Sequence, residues 1–194
     1  MFVTALMGST RLKELDLSEN LIGQSEMVVR FSSKRGDRTA TKAIAEHISD
    51  PNCCLETLKL SWNSIRLGSG ISLANAIAFN KSLRILDLSY NAIGSDGGKI
   101  VGQSLYDNKT LEKLILANNN IDGEACFVIC AATEHNFTLK ELCLDGNPIG
   151  EMGAKSIMNI PSIIGSRCAI SCLRCNIGVR QPPGSFDEME PFGM

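Results

Sequence analysis

The chain has 194 residues and a formal net charge of -2, with 44% of its residues hydrophobic and 21% charged. That composition excludes disordered, collagen-like and coiled-coil chains and predicts one soluble domain with a core. With 19 Lys and Arg against 21 Asp and Glu there is no bulk positive field to drive phosphate-backbone binding, which argues against a nucleic-acid partner.

No stretch nears the roughly 18 consecutive apolar residues of a membrane helix, and Met1 to Thr10 lacks the basic flank and apolar run of a signal peptide. A cytoplasmic protein with no membrane partner is expected. The eight cysteines are irregularly spaced and read as reduced thiols.

Along the chain one pattern dominates, L-x-x-L-x-L-x-x-N-x-I. It appears first at Leu12, Leu15, Leu17, Asn20 and Ile22, and next at Leu55, Leu58, Leu60, Asn63 and Ile65. Leu83, Leu86, Leu88, Asn91 and Ile93 form the third copy, Leu111, Leu114, Leu116, Asn119 and Ile121 the fourth, and Leu139, Leu142, Leu144, Asn147 and Ile149 the fifth. The last four copies are spaced by 28 residues without a slip, whereas the first step is 43. An insertion of about fifteen residues therefore falls near 24–38.

These five motifs resemble the leucine-rich repeat family, specifically the ribonuclease-inhibitor type found in nucleotide-binding innate immune receptors and the Ran GTPase-activating protein. The resemblance implies an α/β solenoid, a right-handed β-α superhelix with a parallel sheet on its concave face and helices on its convex face. The residues support the same architecture independently. The last two leucines of L-x-x-L-x-L are two apart, so on an extended strand both face one side and the residue between them faces the other. The segments Gly97 to Tyr106 and Glu124 to His135 lack alternation and are long enough for two or three helical turns. Helices are wider than the roughly 4.8 Å strand spacing, so the stack curves.

Two asparagine columns punctuate the repeat. Asn20, Asn63, Asn91, Asn119 and Asn147 follow each strand, where an amide supplies the donors and acceptor that the turning backbone needs. Asn52, Asn80, Asn108 and Asn136 follow the helices, where a left-handed residue that ends the helix is expected. Asn80, Asn108 and Asn136 also begin glycosylation sequons, which coincide with this column and are read as punctuation. Small residues recur at Gly70, Gly98, Cys126 and Ala154, with Lys42 breaking the column, and suggest close approach of helix to sheet.

The ends and the insertion depart from the rule. Met1 to Gly8 aligns with the helical stretch Ile100 to Asp107, so the chain opens inside a repeat, and it reads as a piece of a longer array or as a short product with poorly sealed ends. The insertion QSEMVVRFSSKRGDR, which holds Arg30, Lys34, Arg35 and Arg38, reads either as a binding loop or as a tolerated mobile insert. Cys168, Ser171, Leu173 and Asn176 form a degraded sixth motif, Pro161 shortens the helix before it, and a tail with Pro182, Pro183 and Pro191 follows. The predicted organisation is a repeat domain over 1–178 and a tail over 179–194.

Catalytic constellations do not emerge. Cys168, Cys172 and Cys175 have the spacing of an iron-sulfur ligand set, but only 19 residues follow them and the barrel setting is missing. Cys143 and Cys172 read as equivalent residues of adjacent strands, open either to a disulfide or to two free thiols. Cys126 and Cys130 read as small buried hydrophobes, and Cys53 and Cys54 have no histidine cluster for zinc. His47 and His135 have no nucleophile or carboxylate at a recognisable spacing, and Gly94, Gly97 and Gly98 belong to the repeat's own turn. No enzyme, metal, cofactor or small-molecule substrate is expected.

What remains is the inner curve. Glu14, Thr57, Ile85, Lys113 and Glu141 form one column, Asp16, Lys59, Asp87, Ile115 and Cys143 a second, and Ser18, Ser61, Ser89, Ala117 and Asp145 a third. Trp62, the only tryptophan, and Tyr90 occupy equivalent positions just past neighbouring strands. Buried aromatic anchors typify interface hot spots, so a protein partner is expected at Trp62, Tyr90, Lys59, Asp87, Asp16, Ile115 and Lys113. In the alternative, the aromatics shield the sheet edge and Lys59 pairs with Asp87. Resemblance to the Ran GTPase-activating protein offers a second function, regulation of a small GTPase, although only Asp187, Glu188 and Glu190 stand where that family has an acidic tail. A structural spacer within a larger receptor is the third.

Overall fold

The computed structural model describes residues 11–23, 40–160 and 168–177. The segment Met1 to Gly8, the 24–38 insertion, Pro161 and the 179–194 tail lie outside the described residues.

Six three-residue strands form one parallel sheet in chain order: β1 (Glu14–Asp16), β2 (Thr57–Lys59), β3 (Ile85–Asp87), β4 (Lys113–Ile115), β5 (Glu141–Cys143) and β6 (Ala169–Ser171). Between them run α1 (Ala40–Ile48), α2 (Leu67–Phe79), α3 (Gly94–Asp107), α4 (Gly123–His135) and α5 (Gly150–Asn159), each packed on the next. The result is an α/β solenoid with its sheet on the concave side and its helices on the convex side. None of the described helices is long and apolar enough to cross a membrane.

Pairing puts Leu15, Leu58, Leu86, Leu114, Leu142 and Ile170 side by side. Leu58, Leu86 and Leu114 are completely buried, each contributing about 1.5–3 kcal/mol of transfer free energy. The helices close the same core from the other side. In α1 the buried residues Thr41, Ile44, Ala45 and Ile48 follow the i, i+3, i+4, i+7 spacing of a single helical face.

Small residues serve a different contact from the one anticipated. A Cβ on Gly98 would fall 2.9 Å from the Ala125 Cβ, and one on Gly102 would fall 2.8 Å from the Val128 backbone carbonyl carbon. The glycines of α3 thus let it approach α4, helix to helix, where the expectation was helix to sheet. Neighbouring helices are forced together because the sheet beneath them steps by only about 4.8 Å per rung.

The first asparagine column stitches the rungs. Asn63, Asn91, Asn119 and Asn147 each donate Nδ2 to a carbonyl of the preceding repeat, those of Leu17, Leu60, Leu88 and Leu116, at 2.8–2.9 Å. Asn91 Oδ1 accepts the N–H groups of Asn63 and Ile65, and Asn147 Oδ1 those of Asn119 and Ile121. Asn119 Oδ1 is buried without a partner among the described residues. The turn itself alternates along the stack. Repeats two and four place Ser64 and Asn120 at positive φ, whereas repeats three and five place Gly94 and Gly150 there. In repeat three Ala92 N–H goes to the Ile65 carbonyl and Gly94 N–H to the Asn119 carbonyl.

The second column is not left-handed. Asn80, Asn108 and Asn136 have φ of -68°, -70° and -98° with extended ψ. Their side chains stop the helix instead. Each Oδ1 accepts the N–H groups two and three residues on, from Ser82 and Leu83, Thr110 and Leu111, and Thr138 and Leu139. Each Nδ2 donates to a carbonyl one repeat back, those of Ile48, Ile77 and Leu105, at 2.6–2.8 Å. With the three asparagines buried and their amides engaged, no glycan is accommodated there. Asn52 is exposed and donates its N–H to Asp50 instead.

The sixth repeat is shifted by one residue from the anticipated motif. β5 and β6 pair Leu142 with Ile170 and Cys143 with Ser171, so the 28-residue step continues through Ile170, Cys172 and Cys175. The apolar look of Leu173 misplaces the motif in the sequence, yet that side chain is exposed. Cys175 takes the asparagine position, its Sγ donating to the Leu144 carbonyl at 3.2 Å. Cys172 therefore does not share a face with Cys143, and all eight cysteines are free. Burial pushes the Cys168 thiol up to about 11, and the hydrogen bond to Cys126, together with burial, pushes Cys130 higher still, so both remain protonated near neutrality.

Replacing Asn147 by alanine removes two acceptor and two donor roles in the core. It is expected to lower the unfolding free energy by about 3 kcal/mol, whereas Asn20→Ala, at an exposed residue bonded only to the Leu17 and Ser18 carbonyls of its own turn, costs less than about 1 kcal/mol. Urea denaturation of the two variants checks the difference.

Candidate protein-binding surface

Residues that alternate with the buried leucines project from the concave face because successive side chains of a strand point to opposite sides. The register aligns Asp16, Lys59, Asp87, Ile115, Cys143 and Ser171 across the sheet. Within that column Lys59 lies 3.5 Å from Asp16. Asp87 instead accepts the Ser89 N–H at 2.8 Å and its hydroxyl at 2.6 Å. The sequence left Lys59 and Asp87 as a possible pair, but Lys59 lies against the opposite neighbour, Asp16, whose carboxylate likewise accepts the N–H of the serine two residues on, Ser18. In the adjacent column Lys113 pairs with Glu141 at 2.5 Å. Ile115 is half-buried between these charges.

A fourth column, just past the strands, holds the two aromatics. Glu19, Trp62, Tyr90, Asn118, Gly146 and Arg174 all have φ between 53° and 67°. The N–H groups of the first five donate in turn to the carbonyls of Ser61, Ser89, Ala117, Asp145 and Leu173 at 2.8–3.1 Å. Every repeat thus needs one left-handed residue to turn the chain out of the sheet. Glycine and asparagine fit that need at little cost, whereas a bulky side chain in this conformation is strained by roughly 1–2 kcal/mol. Trp62 and Tyr90 accept the strain in consecutive repeats. Their rings stack with centroids 4.0 Å apart and an interplanar angle of 9°, and they remain 56% and 43% exposed. Stacking returns about 0.5–1.5 kcal/mol, no more than the two strained backbones cost.

A charged ladder along the rim escaped sequence reading. Lys13 pairs with Glu56 at 2.7 Å, Arg84 with Glu112, and Lys140 with Glu112 at 2.5 Å. Signs alternate rung by rung, through residues that each precede a strand. The signal was present as a 28-residue spacing of opposite charges, but only the register shows that they touch. Lys140 first and Arg84 second hold the Glu112 carboxyl below its ordinary range. Above the ladder, Lys81, Arg84, Lys109 and Lys140 line a cleft of about 330 Å³ with Glu112 as its one acid.

A protein-family model described as Leucine Rich repeat matches residues 52–74, 79–99, 107–130 and 135–158. Four leucine-rich repeats therefore run within residues 52–158. Two solved structures share the fold. The Leiomodin-1 Actin-Binding Site 2 is 18% identical with a TM-score of 0.61, over 82% of this chain and 85% of its own. The Caenorhabditis elegans tropomodulin C-terminal domain is 15% identical with a TM-score of 0.57, over 84% of this chain and 95% of its own. No curated protein matches. At these identities the likeness establishes the leucine-rich repeat architecture and nothing finer.

Two outcomes follow from the geometry. Replacing Trp62 and Tyr90 together by asparagine exchanges the stack for a relaxed left-handed backbone, so the unfolding free energy is expected to hold or to rise by up to about 3 kcal/mol; a loss above about 3 kcal/mol in urea denaturation makes the pair a structural clamp instead. Because the Glu112 carboxyl is depressed in the fold, its contribution is complete above the unfolded pKa and is lost as pH falls through the folded value. Glu112→Gln is therefore expected to lower the melting temperature slightly near neutrality and to converge with the parent as pH falls, which flattens the acid limb of a plot of melting temperature against pH.

Proposed function

We propose that this leucine-rich repeat chain is a non-catalytic scaffold that binds a protein partner on its concave face, centred on Trp62 and Tyr90. One observation carries the reading. Two large aromatic side chains occupy consecutive left-handed positions that Asn118 and Gly146 fill without strain in the next repeats, and they are stacked and open to solvent. Residues that cost the fold as much as they return, yet present rigid amphipathic area, have the makings of a hot spot. Lys59, Asp16, Asp87, Lys113 and Ile115 surround the pair as the specificity-determining rim. The name of the leiomodin neighbour places actin binding on a solenoid of similar shape, which supports use of this fold as a gripping surface. The repeat step of 28 residues and the turn asparagines favour the ribonuclease-inhibitor type of repeat, and with it a cytoplasmic setting.

Affinity capture followed by mass spectrometry, run in parallel with the parent chain and Trp62→Ala/Tyr90→Ala, tests the reading. Partners retained by the parent are expected to be lost from the double variant, whose melting temperature remains within a few degrees of the parent's. An identical set of captured proteins from both overturns the concave-face site.

A further inference from the structure

The two rings are stacked nearly parallel, so each hides one face against the other and turns its second face away from the pair. For Trp62, that outer face is turned along the column toward the first repeat, where the equivalent left-handed residue is Glu19, an exposed carboxylate. The surrounding concave face is short of cations. Over the first three repeats its described residues carry Glu14, Asp16, Glu19 and Asp87 against the single cation Lys59, and Lys59 is already paired with Asp16. Four cations of the following repeats, Lys81, Arg84, Lys109 and Lys140, gather instead in the rim cleft, and Lys113 on the fourth strand is paired with Glu141. The indole therefore sits in a negative local field that the chain's formal charge of -2 does not reveal.

An electron-rich ring face beside carboxylates selects a cation. Attraction of a cation to an indole is worth about 0.5–2 kcal/mol depending on desolvation, and it adds to the carboxylate term. An apolar side chain gains only the ring contact and has to strip water from the acids around it. Among cations, a guanidinium is planar, weakly hydrated and forked, so it can lie flat on the ring while its edge donates to a carboxylate. A compact ammonium does one or the other less well.

We propose that Trp62, backed by Tyr90, receives an arginine side chain from a basic segment of the bound protein, with Glu19 as the flanking acid. The inference rests on the concave-face reading and adds the chemistry of the partner to it.

The test uses the intact chain, in which Trp62 is the only tryptophan, so indole emission reports on this site alone. The probe is a short glycine-arginine peptide, titrated beside twins that carry citrulline or lysine in place of arginine. A saturable change in emission is expected with the arginine peptide, weaker by about tenfold for the neutral but isosteric citrulline and intermediate for lysine. Glu19→Gln is expected to weaken the arginine peptide several-fold at unchanged melting temperature. Glu134→Gln, at an exposed acid on convex α4, leaves it unaltered. Equal binding of the citrulline peptide, or equal losses from the two glutamine variants, overturns the inference, since the first removes the cation and the second reduces the effect to overall charge. Either result, together with loss of partner capture by Trp62→Ala/Tyr90→Ala, defeats the arginine site while the concave-face reading stands. Unchanged partner capture defeats the reading itself.

Discussion

A strand of three residues has no stability of its own. Each rung of this solenoid contributes a few apolar groups that one rung cannot cover, and they become buried only when the rungs before and after it pair in register. Leu58, Leu86 and Leu114, fully enclosed between sheet and helices, owe their burial to their neighbours. The same dependence governs the polar atoms. Asn63, Asn91, Asn119 and Asn147 reach back to carbonyls of the preceding repeat, and Asn80, Asn108 and Asn136 do so at the opposite corner. Stability in such a stack is set by contacts between nearest neighbours, and here the two corners and the leucine row are three parallel seams of that contact.

Register has a second consequence, on the surface. Once equivalent positions lie one rung apart, any side chain there meets its counterparts above and below. Alternating charges become the ladder from Lys13 through Glu56, Arg84 and Glu112 to Lys140, bridged between the first two and the last three. Two aromatics at the turn become a stacked pair. The turn itself demands one left-handed residue per repeat, which gives the fold a row of positions where the choice of side chain is almost free of packing constraint but not of backbone cost. Asparagine and glycine follow the cost. Glu19, Trp62, Tyr90 and Arg174 do not, and among these Trp62 and Tyr90 are set apart by standing in consecutive repeats as a stacked, solvent-open aromatic pair.

Where the repeat weakens, the substitutions show which parts of the motif are negotiable. In the sixth rung Ile170 replaces leucine and Cys175 replaces asparagine, with a thiol donating where an amide donates elsewhere. The rung still pairs at the 28-residue step. Backbone hydrogen bonding between strands is indifferent to side-chain identity, so the geometry outlasts the motif.

The sequence alone determined the solenoid, its strand positions in five repeats and the equivalence of Trp62 with Tyr90, because burying leucine on a strand of period two leaves few alternatives and the 28-residue spacing repeats it. It misplaced the sixth motif, the conformation of the second asparagine column and the partner of Lys59. Each of those depended on a neighbour in space. Leu173 looks like a motif leucine until strand pairing turns it outward; Asn80 looks like a left-handed cap until its amide finds Ile48 one repeat back; Lys59 has an acid on either side until the packed rungs bring it to Asp16. Periodic burial is a property of the chain that a string of letters carries, whereas hydrogen-bond partners across rungs, ring stacking and the sign of a local field arise only when the rungs are laid side by side.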